Sequence, residues 1–151
     1  MRLSLVNELN AVSILTRRSA TCQDLLICLY SLTPVESEIF YELAIAGSST
    51  VDDVAKALHR DRTTIHRCLS KLVSTGLCYK ETKTLKDGGY YHLYTVTELP
   101  KIKEQTKSKV DELSKSLQRL IDNLEIDFRR ALRERTTRKR LTLTALSPGT
   151  P

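Results

Sequence analysis

The sequence contains no tryptophan, and aromatic residues make up only 5% of its 151 residues. A binding pocket built on aromatic stacking is therefore not expected. Five glycines argue against a large glycine-rich loop around a nucleotide phosphate. No segment approaches the roughly 18 consecutive apolar residues of a membrane-spanning helix. The N-terminal region also lacks the apolar segment and cleavage site of a signal peptide, which predicts a cytoplasmic protein.

Sequence signatures of catalysis are missing as well. There is no H-E-x-x-H pattern, no phosphate-binding P-loop and no G-x-G-x-x-G motif. The three histidines show no arrangement with serine and aspartate that indicates nucleophilic catalysis. We therefore predict that the protein is not an enzyme and uses no cofactor.

The four cysteines are spread along the chain without a C-x-x-C pair, so reduced thiols are expected in a cytosol. A metal site would need His66, Cys68, Cys78 and His92 to meet in the fold. No pair of these residues has the spacing of a structural zinc site, and Cys68 falls on a predicted buried face. No metal is therefore predicted.

Charge and length indicate the class of partner and the number of domains. Basic residues outnumber acidic ones by 24 to 18, which gives a formal net charge of +6 and favours a polyanionic partner. The length corresponds to about one domain. Its predicted segments are an N-terminal arm at 1–20, a block of short elements at 21–98, a long helix at 99–132 and a basic, disordered tail at 133–151.

The first clear helix is predicted to begin at Thr33 and Pro34, which supply an N-cap hydroxyl and a proline at the first helical position. Apolar residues then recur at helical spacing until Gly47 ends the helix. The apolar run that precedes it, Leu25–Leu32, predicts another short helix.

Two further helices are predicted to begin after Thr50 and after Asp61, since both side chains are good N-caps. Gly76 ends the second of them. Only residues 59–61 separate the two helices. So short a turn makes the helices cross steeply, which is typical of a helix-turn-helix.

After Gly76 the pattern becomes that of β-structure. Residues 77–84 and 90–96 are rich in Tyr, Thr, Leu and Val, which favours strands. The Asp-Gly-Gly segment between them supplies the positive φ angles of a tight hairpin. The predicted fold class is mainly α with a small β-hairpin (α+β): a winged helix-turn-helix followed by a long C-terminal helix.

The helix that begins at Arg62 has a polar, donor-rich face without an acidic residue. In a major groove, arginine can bind guanine bidentately, while serine and threonine reach phosphates or base edges. An ordinary solvated basic face is the alternative, but the helix-turn-helix context favours DNA recognition. The residues predicted to contact DNA from this region are Arg60, Arg62, Thr63, Thr64, His66, Arg67, Ser70 and Lys71.

The predicted hairpin adds cations around a flexible tip. A basic β-ribbon can lie along the DNA backbone, where neutralising phosphates gives salt-dependent affinity. Lysines on an exposed strand can also protect its edge from aggregation, and both roles can hold together. The residues predicted to contact DNA from the hairpin are Lys83, Lys86 and Tyr90.

The segment Thr50–Leu77, which reads TVDDVAKALHRDRTTIHRCLSKLVSTGL, resembles the DNA-binding domain of TrmB-type and MarR-like winged-helix regulators, especially archaeal ones. The likeness covers about residues 30–98. Cys68 and Cys78 stand where that family more often has small or aliphatic residues, so a thiol-based response at these positions stays open. It implies that the helix beginning at Arg62 reads the major groove and that the hairpin, or wing, grips the flanking backbone. Full-length TrmB proteins carry a C-terminal sugar-binding domain for which this chain has no room, so sugar sensing is not expected to transfer.

The long helix carries an apolar stripe at alternating spacings of three and four, which is typical of a coiled coil. At about 30 residues it would be roughly 45 Å long and would outreach the block before it. Packing on its own domain is the alternative to self-association. The residues predicted to form a homodimer are Val110, Leu113, Leu117, Leu120 and Leu124. The basic tail could add phosphate contacts or only aid solubility.

We therefore predict that the chain is a homodimeric transcriptional regulator that binds double-stranded DNA sequence-specifically. Two alternatives stay open. One is a winged-helix module for protein interaction, and the other is a non-specific, chromatin-like DNA binder whose affinity depends on phosphates alone. The basic and polar face of the helix from Arg62 favours DNA over a protein partner. No pocket for an effector can be predicted from the sequence.

Overall fold

The computed structural model describes residues 11–146. The described chain forms two compact units, one that ends at Lys107 and one that begins at Ser108. Residues 11–15 are helical. The elements that follow are α1 Cys22–Tyr30, α2 Pro34–Ala46, β1 Ser48–Ser49, α3 Val51–Leu58, α4 Arg62–Ser74, β2 Cys78–Thr84, β3 Tyr90–Val96, α5 Leu99–Asp122 and α6 Leu124–Leu146. The predicted class, mainly helical with a small antiparallel sheet, is confirmed.

The three predicted helix starts are confirmed by their N-caps. Thr33 and Thr50 each accept a hydrogen bond at 3.2 Å from the backbone N–H three residues later. Asp61 accepts one from the Thr64 N–H at 2.9 Å. Each bond satisfies a donor that the first turn of a helix leaves unpaired. The local sequence therefore fixes where α2, α3 and α4 begin.

Helix α1 begins at Cys22, earlier than the predicted start at Leu25. The reason is a reciprocal cap between Thr21 and Asp24. The Thr21 N–H donates to Asp24 Oδ2 at 2.9 Å, and the Asp24 N–H donates to Thr21 Oγ1 at 3.3 Å. This capping box carries the helix beyond the apolar run that predicted it.

The core of the first unit lies between α2, α4 and the sheet. Ile39 and Leu43 of α2 and Ile65 and Leu69 of α4 are completely buried, and Tyr94 of β3 is 1% exposed. Burying one such aliphatic side chain contributes about 1.5–3 kcal/mol. This packing holds α4 by one face and leaves the opposite face to solvent.

The sheet has three antiparallel strands in the order β1-β3-β2. Thr84 pairs with Tyr90 across the tip of the hairpin, which confirms the predicted wing. Strand β1 is not predicted from the sequence. Its two serines, Ser48 and Ser49, have little β propensity and pair with the outer edge of β3. The edge of an existing strand, and not a local pattern, makes them a strand.

Glycine is required where α4 gives way to β2. Gly76 has φ +83°, and a Cβ at this position would lie 2.9 Å from the side-chain oxygen of Gln105. At the wing tip, Gly88 and Gly89 have φ +89° and +87°. The Leu85 N–H donates to the Gly89 carbonyl at 3.0 Å and closes the turn, as the Asp-Gly-Gly sequence predicts.

The first part of α5 packs on the winged block. Ile102 and Thr106 are 6% and 8% exposed. The Tyr30 hydroxyl of α1 lies 2.9 Å from Thr106 Oγ1, and Gln105 Nε2 donates to the same hydroxyl at 3.2 Å. Buried polar groups are costly unless hydrogen-bonded, so this contact anchors the start of the long helix.

The second unit consists of the rest of α5 and of α6, which Asn123 separates. The prediction of a disordered tail is wrong for residues 133–146, which are helical. This segment has no proline or glycine and is rich in arginine and leucine, which are good helix formers. Residues 147–151 of the tail and residues 1–10 of the predicted arm lie outside the described residues.

Candidate nucleic-acid interface

Burial divides α4 into two faces. On the inner face Ile65, Leu69 and Leu72 are completely buried and Cys68 is nearly so. The outer face carries no acidic side chain and presents hydrogen-bond donors over about two helical turns. Its exposed residues are Arg62, Thr63, His66, Arg67 and Ser70. The fold therefore brings these five predicted contact residues onto one accessible surface.

The arginines around this face differ in their ion pairs. Arg62 Nε lies 3.1 Å from Asp52 Oδ1 of α3. Arg60 pairs with Glu38 of α2 at 3.5 Å. Arg67 has no ion pair within residues 11–146. Arg67 can therefore take a new partner without giving up an existing one, whereas Arg60 and Arg62 must exchange a carboxylate.

Lys71, also predicted to contact DNA, is engaged by other groups of the protein. Its ammonium donates to Glu36 Oε2 and to the Ser31 carbonyl, both at 2.7 Å. Glu36 also accepts from the Thr33 N–H at 2.8 Å, and its side chain is only 10% exposed. Lys71 therefore links α4 to α2 through Glu36. A DNA contact by Lys71 would leave this largely buried carboxylate without its charged partner.

Thr64 also has a structural role in the cap of α4. Its hydroxyl donates to Asp61 Oδ1 at 2.6 Å, and its N–H donates to Asp61 Oδ2 at 2.9 Å. These two hydrogen bonds hold the pKa of the Asp61 carboxyl below its ordinary value, because they favour its charged form. The Thr64 hydroxyl proton is therefore already engaged and is not available to a phosphate.

The wing is exposed along β2 and across its tip. Lys83 Nζ lies 2.9 Å from Glu81 Oε2, and this hydrogen bond raises the pKa of the Lys83 ammonium. Lys86, at the tip, has no ion pair within the described part of the chain. Tyr90 is 68% exposed. Of the two predicted wing cations, Lys86 is therefore the one without an ion pair among residues 11–146.

An open cleft of about 530 Å³ lies between the start of α4 and the wing. Arg62 and His66 line it from α4, and Tyr90, His92 and Tyr94 line it from alternate positions of β3. The Tyr90 and His92 ring centroids are 5.5 Å apart. The cleft joins the two predicted parts of the interface, the helix face and the wing, into a continuous surface.

Six residues that line this cleft are absent from the predicted contact set: Thr50, Val51, Asp52, Tyr91, His92 and Tyr94. A signal for His92 exists in the sequence. Tyr90, His92 and Tyr94 recur with the period of two that places strand residues on one face. No comparable signal marks Asp52, because its place beside Arg62 depends on how α3 and α4 cross.

The cysteines and histidines do not form a common cluster. Cys68 and Cys78 are buried, and burial raises the pKa of the Cys78 thiol to about 12. Such thiols are poor nucleophiles at neutral pH, which disfavours a thiol-based response at these positions. Within residues 11–146, no three His, Cys, Asp or Glu side chains are placed to share a metal ion. Among the same residues, no helix is long and apolar enough to cross a membrane.

Comparison with known sequences matches the winged block. Residues 29–100 fit the family described as sugar-specific transcriptional regulator TrmB. The chain is 25% identical over 107 residues to an uncharacterised protein of Methanocaldococcus jannaschii, covering 71% of this chain and 81% of that protein. A second uncharacterised protein of the same archaeon is 28% identical over 92 residues, covering 61% and 76% respectively.

Comparison with solved structures gives the same fold. A possible transcriptional regulator from Methanosarcina mazei superposes with a TM-score of 0.62 at 18% identity, covering 71% of this chain and 93% of that one. A protein from Sulfolobus tokodaii superposes with a TM-score of 0.51 at 20% identity, covering 62% and 92%. The match to the TrmB family model thus covers the winged block, residues 29–100, and both solved structures share the fold of this block.

Proposed function

We propose that the protein binds double-stranded DNA in a sequence-specific manner and regulates transcription as a homodimer. The observation that carries the proposal is the exposed, acid-free face of α4, which runs through the cleft into the wing. An α-helix of this kind fits the major groove, where each base pair presents a distinct pattern of donors and acceptors. The family match supports regulation of transcription.

Within α4, Arg67 is the residue best suited to read a base. It is exposed and has no ion pair among residues 11–146. Its guanidinium can donate two parallel hydrogen bonds to the O6 and N7 of guanine. Thr63 and Ser70 carry exposed hydroxyls on the same face, which can bind phosphates or base edges.

The wing is proposed to contact the DNA backbone beside the groove that α4 enters. Lys86, at the tip, supplies a positive charge that has no ion pair within the described part of the chain. Tyr90, at the foot of the tip, presents an exposed hydroxyl and ring. Contacts of this kind position a protein on the duplex without reading sequence, and each phosphate neutralised releases counterions and steepens the salt dependence.

The second unit is proposed to join two copies of the chain. Its predicted stripe on α5 and at the start of α6 is 43–59% exposed in the single chain: Val110, Leu113, Leu117, Leu120 and Leu124. Spacings of three and four along a helix bury such residues in a coiled-coil seam. Two α4 helices held in this way would meet half-sites about one DNA turn apart.

The proposal is tested by selecting binding sites from a random duplex library with the purified full chain, at two salt concentrations. We expect enrichment of an inverted repeat whose half-sites are separated by about one turn. Salt-sensitive binding without any enriched sequence would overturn specificity in favour of chromatin-like binding. Absence of binding even at low salt would overturn DNA recognition altogether and favour a protein-interaction module.

A further inference from the structure

The helix α6 carries a dense group of cations outside the winged block. Between residues 129 and 140 it has seven basic side chains, all exposed, and a single acidic residue, Glu134. The seven are Arg129, Arg130, Arg133, Arg135, Arg138, Lys139 and Arg140. We refer to these seven residues as the basic helix surface.

Within residues 11–146, the basic helix surface forms ion pairs with carboxylates only at its beginning. Arg129 pairs with Glu125 at 3.8 Å, and Arg130 pairs with Asp127 at 3.9 Å. The five cations from Arg133 onward have no ion pair within residues 11–146. The uncompensated charge is therefore concentrated in residues 133–140.

These cations also repel one another in the helical conformation. Arg135 has Arg138 and Lys139 at i+3 and i+4, and like charges at these spacings destabilise a helix. Contact with a polyanion would relieve this repulsion. Phosphates would stabilise a helix that holds unpaired cations close together. The charge pattern therefore identifies a polyanion as the complementary partner.

We infer that the basic helix surface is a second DNA-binding site, which grips the phosphate backbone independently of the outer face of α4. This inference rests on the proposed DNA-binding function, which supplies the polyanion. The segment 129–140 is about 18 Å long at 1.5 Å per residue, and a duplex presents roughly ten phosphates over that length. The site contributes affinity and salt dependence but no base preference.

Two features favour DNA over an anionic membrane as the partner. Membrane-surface helices need a continuous apolar face, and from 129 to 140 the only apolar residues are Ala131 and Leu132. Six of the seven cations are arginines, and the guanidinium binds phosphate oxygens bidentately. Cations surround this part of the helix, which suits a backbone groove better than a flat bilayer.

The test compares two full-length variants that lose equal charge. The first is Arg135→Gln/Arg138→Gln/Arg140→Gln, where glutamine keeps a good helix former. The control is Lys103→Gln/Lys107→Gln/Lys115→Gln, which changes three exposed cations of α5. Each variant falls from a formal net charge of +6 to +3. Binding of both to a selected duplex and to a scrambled duplex of equal length is measured by fluorescence anisotropy across a salt series.

The α6 variant is expected to bind about ten-fold or more weakly at low salt, equally on both duplexes. Its salt slope should fall by about 0.9 for each phosphate that it no longer neutralises. The α5 control should change much less. Equal reductions of affinity in the two variants would overturn the inference, because they would reflect net charge alone. Unchanged binding by the α6 variant would overturn it as well.

Failure of this inference and failure of the proposed specificity give different results. If the wild-type protein binds the selected and the scrambled duplex equally, the proposed specificity fails. The effect of the α6 variant on affinity can then still be measured on both duplexes. If discrimination is present and the α6 variant binds like wild type, only the second site fails. Cosedimentation with phosphatidylserine vesicles completes the test: loss of vesicle binding by the α6 variant, with DNA binding intact, would assign the surface to a membrane instead.

Discussion

Ion pairing separates the cations around α4 by the role that each can play. Arg67 is exposed and unpaired within the described residues, whereas Lys71 is bound to a largely buried Glu36. Arg62 is paired with Asp52, but both side chains of this ion pair are exposed. An exposed pair is worth only about 0–1 kcal/mol, so Arg62 can exchange Asp52 for a phosphate at little cost.

Substituting Arg67 with alanine should relax base preference. We expect Arg67→Ala to cost about 1–3 kcal/mol of binding to the selected duplex and much less on a scrambled one, because alanine cannot donate the bidentate hydrogen bonds to a base. Competition binding with the two duplexes measures the ratio. The control Lys56→Ala removes one exposed cation from α3 and should keep the ratio. An unchanged ratio in Arg67→Ala would exclude Arg67 from base reading.

Substituting Lys71 should affect stability and leave DNA recognition nearly intact. Lys71→Gln removes the ammonium that lies 2.7 Å from Glu36 and leaves that carboxylate short of a charged partner. The expected loss is about 1–3 kcal/mol in the free energy of unfolding, measured by urea denaturation. Pairing it with Glu36→Gln should recover part of the loss. If Lys71→Gln instead weakened DNA binding at full stability, the result would support the predicted DNA contact of Lys71.

At the scale of the elements, the cap of α4 and the tip of the wing decide how the interface is presented. The Asp61 carboxylate holds the first turn of α4, directly beside the residues proposed to enter the groove. The glycines of the tip give β2 and β3 their tight connection. Both devices are local, and each can be altered without touching the core.

The charge of Asp61 should make stability depend on acidic pH. Its pKa is lowered in the fold by the hydrogen bonds from Thr64, so its contribution is fully present above the ordinary aspartate pKa and is lost as pH falls through the lowered value. Asn is a good N-cap without a titrating charge. Asp61→Asn should therefore lose less stability than wild type between neutral pH and about pH 3, measured by urea unfolding. Equal losses would contradict this role.

Removing the charge at the wing tip should weaken binding to all sequences alike. Lys86→Ala is expected to reduce the salt slope by about 1 without changing the preference for the selected duplex, because a phosphate contact carries no sequence information. Lys101→Ala, which removes an exposed cation from α5, is the control. A slope equal to that of wild type would show that the tip does not touch phosphate.

At the scale of the whole molecule, the second unit lacks a core of its own. Every apolar side chain of its described residues is exposed, and several of them follow a heptad pattern. Helical segments of this kind gain most of their stability from packing an apolar face. A second copy of the chain carries the same exposed apolar side chains, and packing the two copies together is the basis of the proposed dimer.

Placing a charge in the seam should separate the two copies. Leu117→Lys is expected to yield monomers in sedimentation analysis, because a lysine in the middle of the stripe opposes burial. The matched control is Leu141→Lys, which makes the same change at a 67% exposed position of α6 outside the stripe and should leave the dimer intact. A dimer that persists in Leu117→Lys would place the interface elsewhere.

Much of the winged block could be predicted because its signals are local. The N-caps Thr33, Thr50 and Asp61 act on an N–H only three residues away, and the turn before Tyr90 uses neighbouring glycines. Periodicity likewise separated the buried and exposed faces of α4. The predicted end of order near residue 132 is wrong. High net charge favours disorder, but residues 133–146 contain no proline or glycine and are rich in arginine and leucine, which are good helix formers.

The sequence by itself determined where α2 to α4 and the wing begin and end, and which face of α4 carries donors, since short-range hydrogen bonds and side-chain period decide both. Only the tertiary structure decided which donors are free. Lys71 meets Glu36 across 35 positions of the chain, and β1 forms because β3 offers an edge. The cleft exists because the starts of α3 and α4 lie beside β3. Such contacts join residues far apart in sequence, and no local pattern encodes their partners.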